Sequence, residues 1–227
     1  MKRLSSLLAA GALTAAALVS PVASAATLKP QEVAGDAALS TVSDLEPNPE
    51  VEGQKWYDRY KDDPRLLKLQ ATSPSMNGRV IPLAVIPAKN PDRPTIYLLN
   101  GAGSAEQDTD WLANSNVVDF YADKDVNVVI PQSGAFSYYT DWQEDPNGKY
   151  LKGPQKWETF LTKELPGPLE QRLNANNKRA IAGMSMSATS SLLLAQHNPG
   201  FYDVAGSFAG CAATCLLYTS DAADDSL

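Results

Sequence analysis

Arg179-Ala180-Ile181-Ala182-Gly183-Met184-Ser185-Met186-Ser187 runs a short apolar segment into the pattern Gly-x-Ser-x-Ser, and small and apolar residues continue as far as His197. A strand that turns sharply into a helix at a serine is the context a nucleophile elbow requires. So tight a turn admits only small side chains two residues before and two after the nucleophile, which Gly183 and Ser187 provide. Ser185 then stands with its hydroxyl exposed at the start of a helix, and the Met186 N–H faces any oxyanion that develops. Gly-x-Ser-x-Ser also occurs in simple strand–helix turns, so the pattern needs its neighbours to carry meaning.

Those neighbours alternate. Thr95-Ile96-Tyr97-Leu98-Leu99, Val126 to Ile130, Arg179 to Ala182 and, more weakly, Val204 to Phe208 are continuous apolar runs. Runs of this length suit strands buried on both faces of a parallel sheet. Helical stretches are predicted between them at Val117 to Lys124, Lys156 to about Asn174 and Ser185 to His197. Pro166 and Pro168 should kink or break the second, and Asn198-Pro199-Gly200 ends the third. Arg65 to Thr72 and Arg79 to Ile86 alternate apolar and polar residues on either side of Asn77-Gly78, a strong hairpin signal. Strands alternating with helices predict an α/β fold with a mostly parallel sheet and helices on both faces.

The run Thr95–Leu99 ends in Asn100-Gly101-Ala102-Gly103. The second half of an oxyanion hole comes from the loop after such a central strand. Its glycines let backbone approach a substrate carbonyl closely, and the Ala102 N–H is the candidate second donor. A serine nucleophile also needs a base, normally a histidine oriented by a carboxylate. The chain has one histidine, His197. It lies 12 residues beyond Ser185, about 18 Å along the same predicted helix, too far to serve. In this fold the order is serine, then acid, then histidine, so both partners are expected beyond Thr214.

Three further segments resemble a known family. Phe136-Ser137-Tyr138-Tyr139-Thr140-Asp141-Trp142, Lys156-Trp157-Glu158-Thr159-Phe160-Leu161-Thr162-Lys163-Glu164-Leu165-Pro166 and Val128-Val129-Ile130-Pro131, with Tyr97–Gly101 and Gly183–Ser187, resemble the secreted mycolyltransferases of the antigen-85 type. The resemblance covers about Arg65 to Ala213. It implies an α/β-hydrolase fold whose C-terminal part is missing here. The implied activity moves a mycolyl chain from trehalose monomycolate to a second trehalose monomycolate or to wall arabinogalactan. By position, Ser185 would be the nucleophile, with Met186 and Ala102 as oxyanion donors. Asn100, Gly101 and Asn114 would be substrate-binding, and Gly103 falls where several members carry an arginine in the sugar site. Fibronectin is a further implied partner. Two other readings stand beside this one: a secreted carboxylesterase, and a non-catalytic envelope-binding protein. The aromatics Tyr138, Tyr139, Trp142 and Trp157 would each sit in the core or line a sugar or lipid surface, and Cys211 is expected to be a small buried residue beside the site.

The ends carry separate signals. Lys2 and Arg3, an apolar stretch from about Leu7 to Val19 and Ala23-Ser24-Ala25 read as a secretory signal over 1–25. Residues 26–64 form an N-terminal arm, polar and without sustained period from 27 to 54, and 65–214 the α/β-hydrolase domain. Cys215 to Leu227 has no structural period and resembles the translation of a sequencing-library adapter, so 215–227 is expected to be non-native. With 44% hydrophobic and 20% charged residues the chain is globular rather than disordered. Its 26 Asp+Glu against 19 Lys+Arg argue against nucleic acid as a partner. No second long apolar run predicts a transmembrane span in the mature protein, and no metal cluster or phosphate loop predicts a cofactor.

Overall fold

A computed structural model describes residues 38–211. The expected signal segment and the 215–227 tail lie outside the described residues. Seven strands form one sheet in the order β1-β2-β3-β5-β4-β6-β7. They are β1 (Val42–Asp44), β2 (Leu67–Ser73), β3 (Arg79–Ile86), β4 (Arg93–Leu99), β5 (Asn127–Pro131), β6 (Ala175–Met184) and β7 (Val204–Phe208). β5, β4, β6 and β7 run parallel, and β1 to β3 extend the sheet antiparallel.

The period-2 geometry of strands explains why the apolar runs are continuous. Successive side chains point to opposite faces, and both faces of β5 and of most of β3 and β4 are covered. Leu83, Val85, Tyr97, Leu99, Val129 and Ile181 enter one core. Their neighbours Ala84, Ile86, Leu98, Val128 and Ile130 enter the other. The first core is closed by α4 (Trp157–Thr159), α5 (Pro166–Arg172) and α6 (Met186–His197), the second by α1 (Lys55–Tyr60), α2 (Trp111–Asn114) and α3 (Val117–Tyr121). This is an α/β-hydrolase architecture, with helices on both faces of a mixed sheet whose central strands are parallel.

Local chemistry sets the boundaries. Asn77 and Gly78 both take positive φ, 56° and 74°, and let β2 return as β3 with Ser73 opposite Arg79. The predicted helix from Lys156 is broken as its prolines require. A wider π-helical turn spans Phe160–Glu164, and α5 restarts with Pro166 in its first turn, where a missing N–H costs nothing. The predicted helix Val117 to Lys124 is shorter, and α2 precedes it, started by Asp110, whose carboxylate accepts from the N–H groups of Leu112 and Ala113.

Two expectations differ from the fold. The stretch read as a polar arm contains β1, paired with β2, and leads into α1, whose Trp56 is fully buried. Its few apolar residues are spaced too widely to show a period, yet Val42, Leu45 and Val51 pack against a core while Leu39 stays exposed. The last strand, β7, is mostly exposed although its run is apolar, with Val204 62% and Phe208 55% accessible. Among the described residues it pairs on one side only, with β6.

Candidate active site

The site lies where β4 and β6 end side by side, with Leu99 opposite Gly183 as the last rung of their ladder. Ser185 follows β6 directly and precedes α6. Its backbone adopts φ 56°, ψ −119°, a region that non-glycine residues occupy only under strain. Surrounding contacts hold it there. The Ser185 N–H donates to the Phe208 carbonyl at 2.9 Å, tying the turn to the end of β7. Ser185 is exposed, while Met186, Ser187 and Ala188 behind it are buried.

The loop after β4 packs against this turn. A β-carbon built on Gly101 would lie 4.0 Å from the Ser185 β-carbon, so the loop and the turn run side by side with about the room of one methyl group between them. Gly103 has no room for a side chain, since a β-carbon there would stand 2.7 Å from the Thr109 hydroxyl. The Ala102 carbonyl accepts the Phe136 N–H at 2.7 Å. That contact hooks on the next loop, which Glu106 also clamps by accepting from Ser133 Oγ and the Gly134 N–H, both at 2.9 Å. Among the described residues the Ala102 N–H has no hydrogen-bond acceptor. As the first residue of α6, Met186 has an N–H with no partner inside the helix. Ser185, Met186, Gly101 and Ala102 are thus brought together at the ends of two adjacent parallel strands, with unengaged N–H groups on both sides of the serine.

The other expected contact residues are placed differently. Asn100 is fully buried and internally bonded. Its amide donates to the Pro131 carbonyl at 2.8 Å, and its oxygen accepts the Trp111 N–H at 3.2 Å. Asn114 is exposed, but its amide donates to the carbonyls of Asp108 and Asp110 at 2.7 and 3.2 Å. Cys211 is not buried beside the site as expected. It is exposed just beyond β7, because no described residue covers that edge of the sheet. Tyr139 and Trp157 are core residues, edge to face at 5.4 Å, whereas Tyr138 is exposed.

His197 occupies the far end of α6, an unbroken 12-residue helix, about 17 Å from its start. Its ring nitrogen faces the Glu158 carboxylate at 3.2 Å. It is therefore no partner of Ser185.

Beside Ser185 opens an apolar cleft of about 820 Å3. Trp111, Phe120, Tyr121, Met184 and Phe208 form much of its wall. The Trp111 indole lies edge to face with the Phe208 ring at 6.1 Å and donates its N–H to the Leu99 carbonyl at 2.8 Å. The sequence pattern marks Ser187 only as a small residue and gives Trp111 no role. The signal available for Trp111 was general: an indole N–H placed among apolar residues needs an acceptor.

Comparison with known proteins bears on the family of the chain. A family model described as putative esterase matches residues 73–223. The diacylglycerol acyltransferase/mycolyltransferase Ag85A of Mycobacterium tuberculosis is 36% identical over 143 residues, which is 63% of this chain and 42% of that protein. The Ag85A protein of Mycobacterium leprae is 35% identical over 164 residues, 70% of this chain and 46% of that protein. The chain thus spans less than half the length of these relatives. Among solved structures, Mycobacterium tuberculosis MPT51 (FbpC1) matches with a TM-score of 0.59 and 30% identity over 69% of this chain and 55% of that one. The strained serine between β6 and α6, the glycine loop packed on it and these similarities lead to one assignment: the chain belongs to the putative esterase family and is of the antigen-85 type.

Proposed function

We propose that Ser185 is the nucleophile of a secreted, cell-envelope acyltransferase that moves a mycolyl chain from trehalose monomycolate to a second trehalose monomycolate or to wall arabinogalactan. The observation that carries this reading is the setting of Ser185. It is held in a strained turn at the ends of two adjacent parallel strands, beside the Gly101 loop, with unengaged N–H groups at Met186 and Ala102. The Ser185 oxygen attacks the donor ester carbonyl and its proton passes to a base. The negative charge that develops on the carbonyl oxygen is met by the Met186 and Ala102 N–H groups. Collapse breaks the bond to the sugar oxygen, which takes the proton, and leaves an acyl-serine. An acceptor hydroxyl then repeats the steps in reverse and carries the acyl chain away. Asn100 serves this site by bracing the loop from within. Asn114 lies on the surface of α2 and would reach a sugar only by giving up its carbonyl contacts.

The test uses the protein expressed from its intact genomic locus, supplied with trehalose monomycolate, labelled trehalose and water. Label appearing in trehalose mycolates, and lost in Ser185→Ala, supports transfer. Release of free mycolic acid alone supports the carboxylesterase reading. Unchanged exchange in Ser185→Ala would overturn the assignment of the nucleophile. Retention on the wall or on fibronectin, with no exchange in either protein, would favour a binding role.

A further inference from the structure

The two N–H groups on either side of Ser185 follow different strands, Ala102 in the loop after β4 and Met186 at the start of α6 after β6, and the ladder between those strands stops before reaching them. Its last rung is Leu99 opposite Gly183. Beyond it, the Ser187 side chain continues the pairing. Its hydroxyl donates to the carbonyl of Leu99, the last residue of β4, at 2.8 Å, and accepts the N–H of Met184, the last residue of β6, at 3.0 Å. Ser187 is completely buried, so water cannot take over either bond. From the other side the Trp111 indole donates to the same Leu99 carbonyl at 2.8 Å. The peptide that follows this carbonyl leads directly into Asn100-Gly101-Ala102.

We propose that Ser187 and Trp111 are positioning residues which fix the spacing of the oxyanion donors through the Leu99 carbonyl. The inference rests on the reading of Ser185 as nucleophile and deepens it. Steric need alone asks only for a small residue at 187, which alanine meets fully. The hydroxyl matters only if the rung does. A donor pair aimed at a transition state loses effect when its spacing relaxes, while ground-state binding changes little.

The experiment measures the rate of Ser185 acylation by a p-nitrophenyl ester in the intact-locus protein, Ser187→Ala, Trp111→Phe and the double variant. Melting curves confirm that each variant folds. Ser187→Ala is expected to lower kcat about tenfold to a hundredfold with KM nearly unchanged. Trp111→Phe keeps the ring and should lower kcat about threefold to tenfold. Because both act on one carbonyl, the double variant should fall well short of the product of the single effects. A folded Ser187→Ala protein that acylates at the parent rate overturns the proposal. If the parent itself shows no Ser185-dependent acylation, it is the nucleophile reading that fails. The rung is then judged by amide hydrogen exchange, which must quicken at residues 100–103 in Ser187→Ala, and unchanged exchange there overturns it.

Discussion

Gly183 and Ser187 touch through the elbow so closely that a β-carbon at 183 would overlap the Ser187 carbonyl and stand 2.6 Å from its hydroxyl oxygen. The strand leaves and the helix enters through a space that admits hydrogen but no methyl group. This contact, more than the general preference of turns for glycine, fixes the residue at 183.

Gly183→Ala should therefore destabilise the protein by about 3 kcal/mol or more, as overpacking against backbone does at its upper end. Gly167→Ala is the control. It lies in α5 with nothing outside its chain neighbours within 4 Å of its added β-carbon, and with Pro168 next to it the change should cost no more than about 1 kcal/mol. Urea titration of both variants checks the contrast, and equal stabilities would remove the steric account.

Glu170 and Arg179 form a buried bidentate pair. Arg179 Nε and Nη2 each donate to Glu170 at 2.7 Å, and the Tyr97 hydroxyl donates to the same carboxylate at 3.0 Å. Glu170→Ala leaves a guanidinium without its counter-ion and should cost about 3–5 kcal/mol. A Glu170→Leu, Arg179→Met double variant should recover part of that loss. Denaturant midpoints measure both, and a Glu170→Ala loss below about 1 kcal/mol would show that water or another group replaces the carboxylate.

Asp110 is buried, and one of its carboxylate oxygens has no partner among the described residues. Burial raises its pKa, opposed by the Ala113 and Leu112 N–H groups. A carboxyl whose folded pKa is raised binds its proton more tightly in the folded state. Its contribution to stability is greatest at low pH and is lost as pH rises from about 4 through the folded value. Asp110→Asn keeps the helix cap but cannot ionise, so its stability relative to the parent should improve as pH rises from about 4 toward 7. Asp110→Ala should lose about 1 kcal/mol through the missing cap. Thermal melts across that pH range decide the sign, and a flat difference would contradict it.

His197 is about half exposed and pairs with Glu158 at the far end of α6. His197→Ala should change stability by no more than about 0.5 kcal/mol and leave acylation of Ser185 unchanged. By the same argument the 227-residue chain as written should show no turnover, because its single histidine cannot reach the serine. Ester hydrolysis assays with the two proteins test this, and activity that vanishes with His197 would overturn it.

The elements that carry the site were legible because their signals are local. Pro94, Pro131 and Pro199-Gly200 punctuate apolar runs. Asn77-Gly78 marks its hairpin, and Gly183-x-Ser185 sits between a strand pattern and a helix pattern. The arm was not legible. Val42, Val51 and Trp56 are isolated in a polar stretch, and only long-range packing against β2 and α2 shows where they go. The exposure of Cys211 and β7 escaped for a related reason: an apolar run records what a strand can bury and says nothing of whether a neighbour covers it.

By itself the sequence determined the class of fold, the turn that presents Ser185 and the loop that faces it, because each follows from side-chain period, proline and glycine chemistry over a few consecutive residues. Tertiary structure alone decided that Asn100 turns inward, that Trp111 reaches Leu99, and that the Ser187 hydroxyl extends the ladder between β4 and β6. The last two depend on residues 12 and 88 positions from Leu99 meeting at its carbonyl. No local pattern encodes such a meeting, since hydrogen-bond partners across a parallel sheet are chosen by register and crossover rather than by neighbours in the chain.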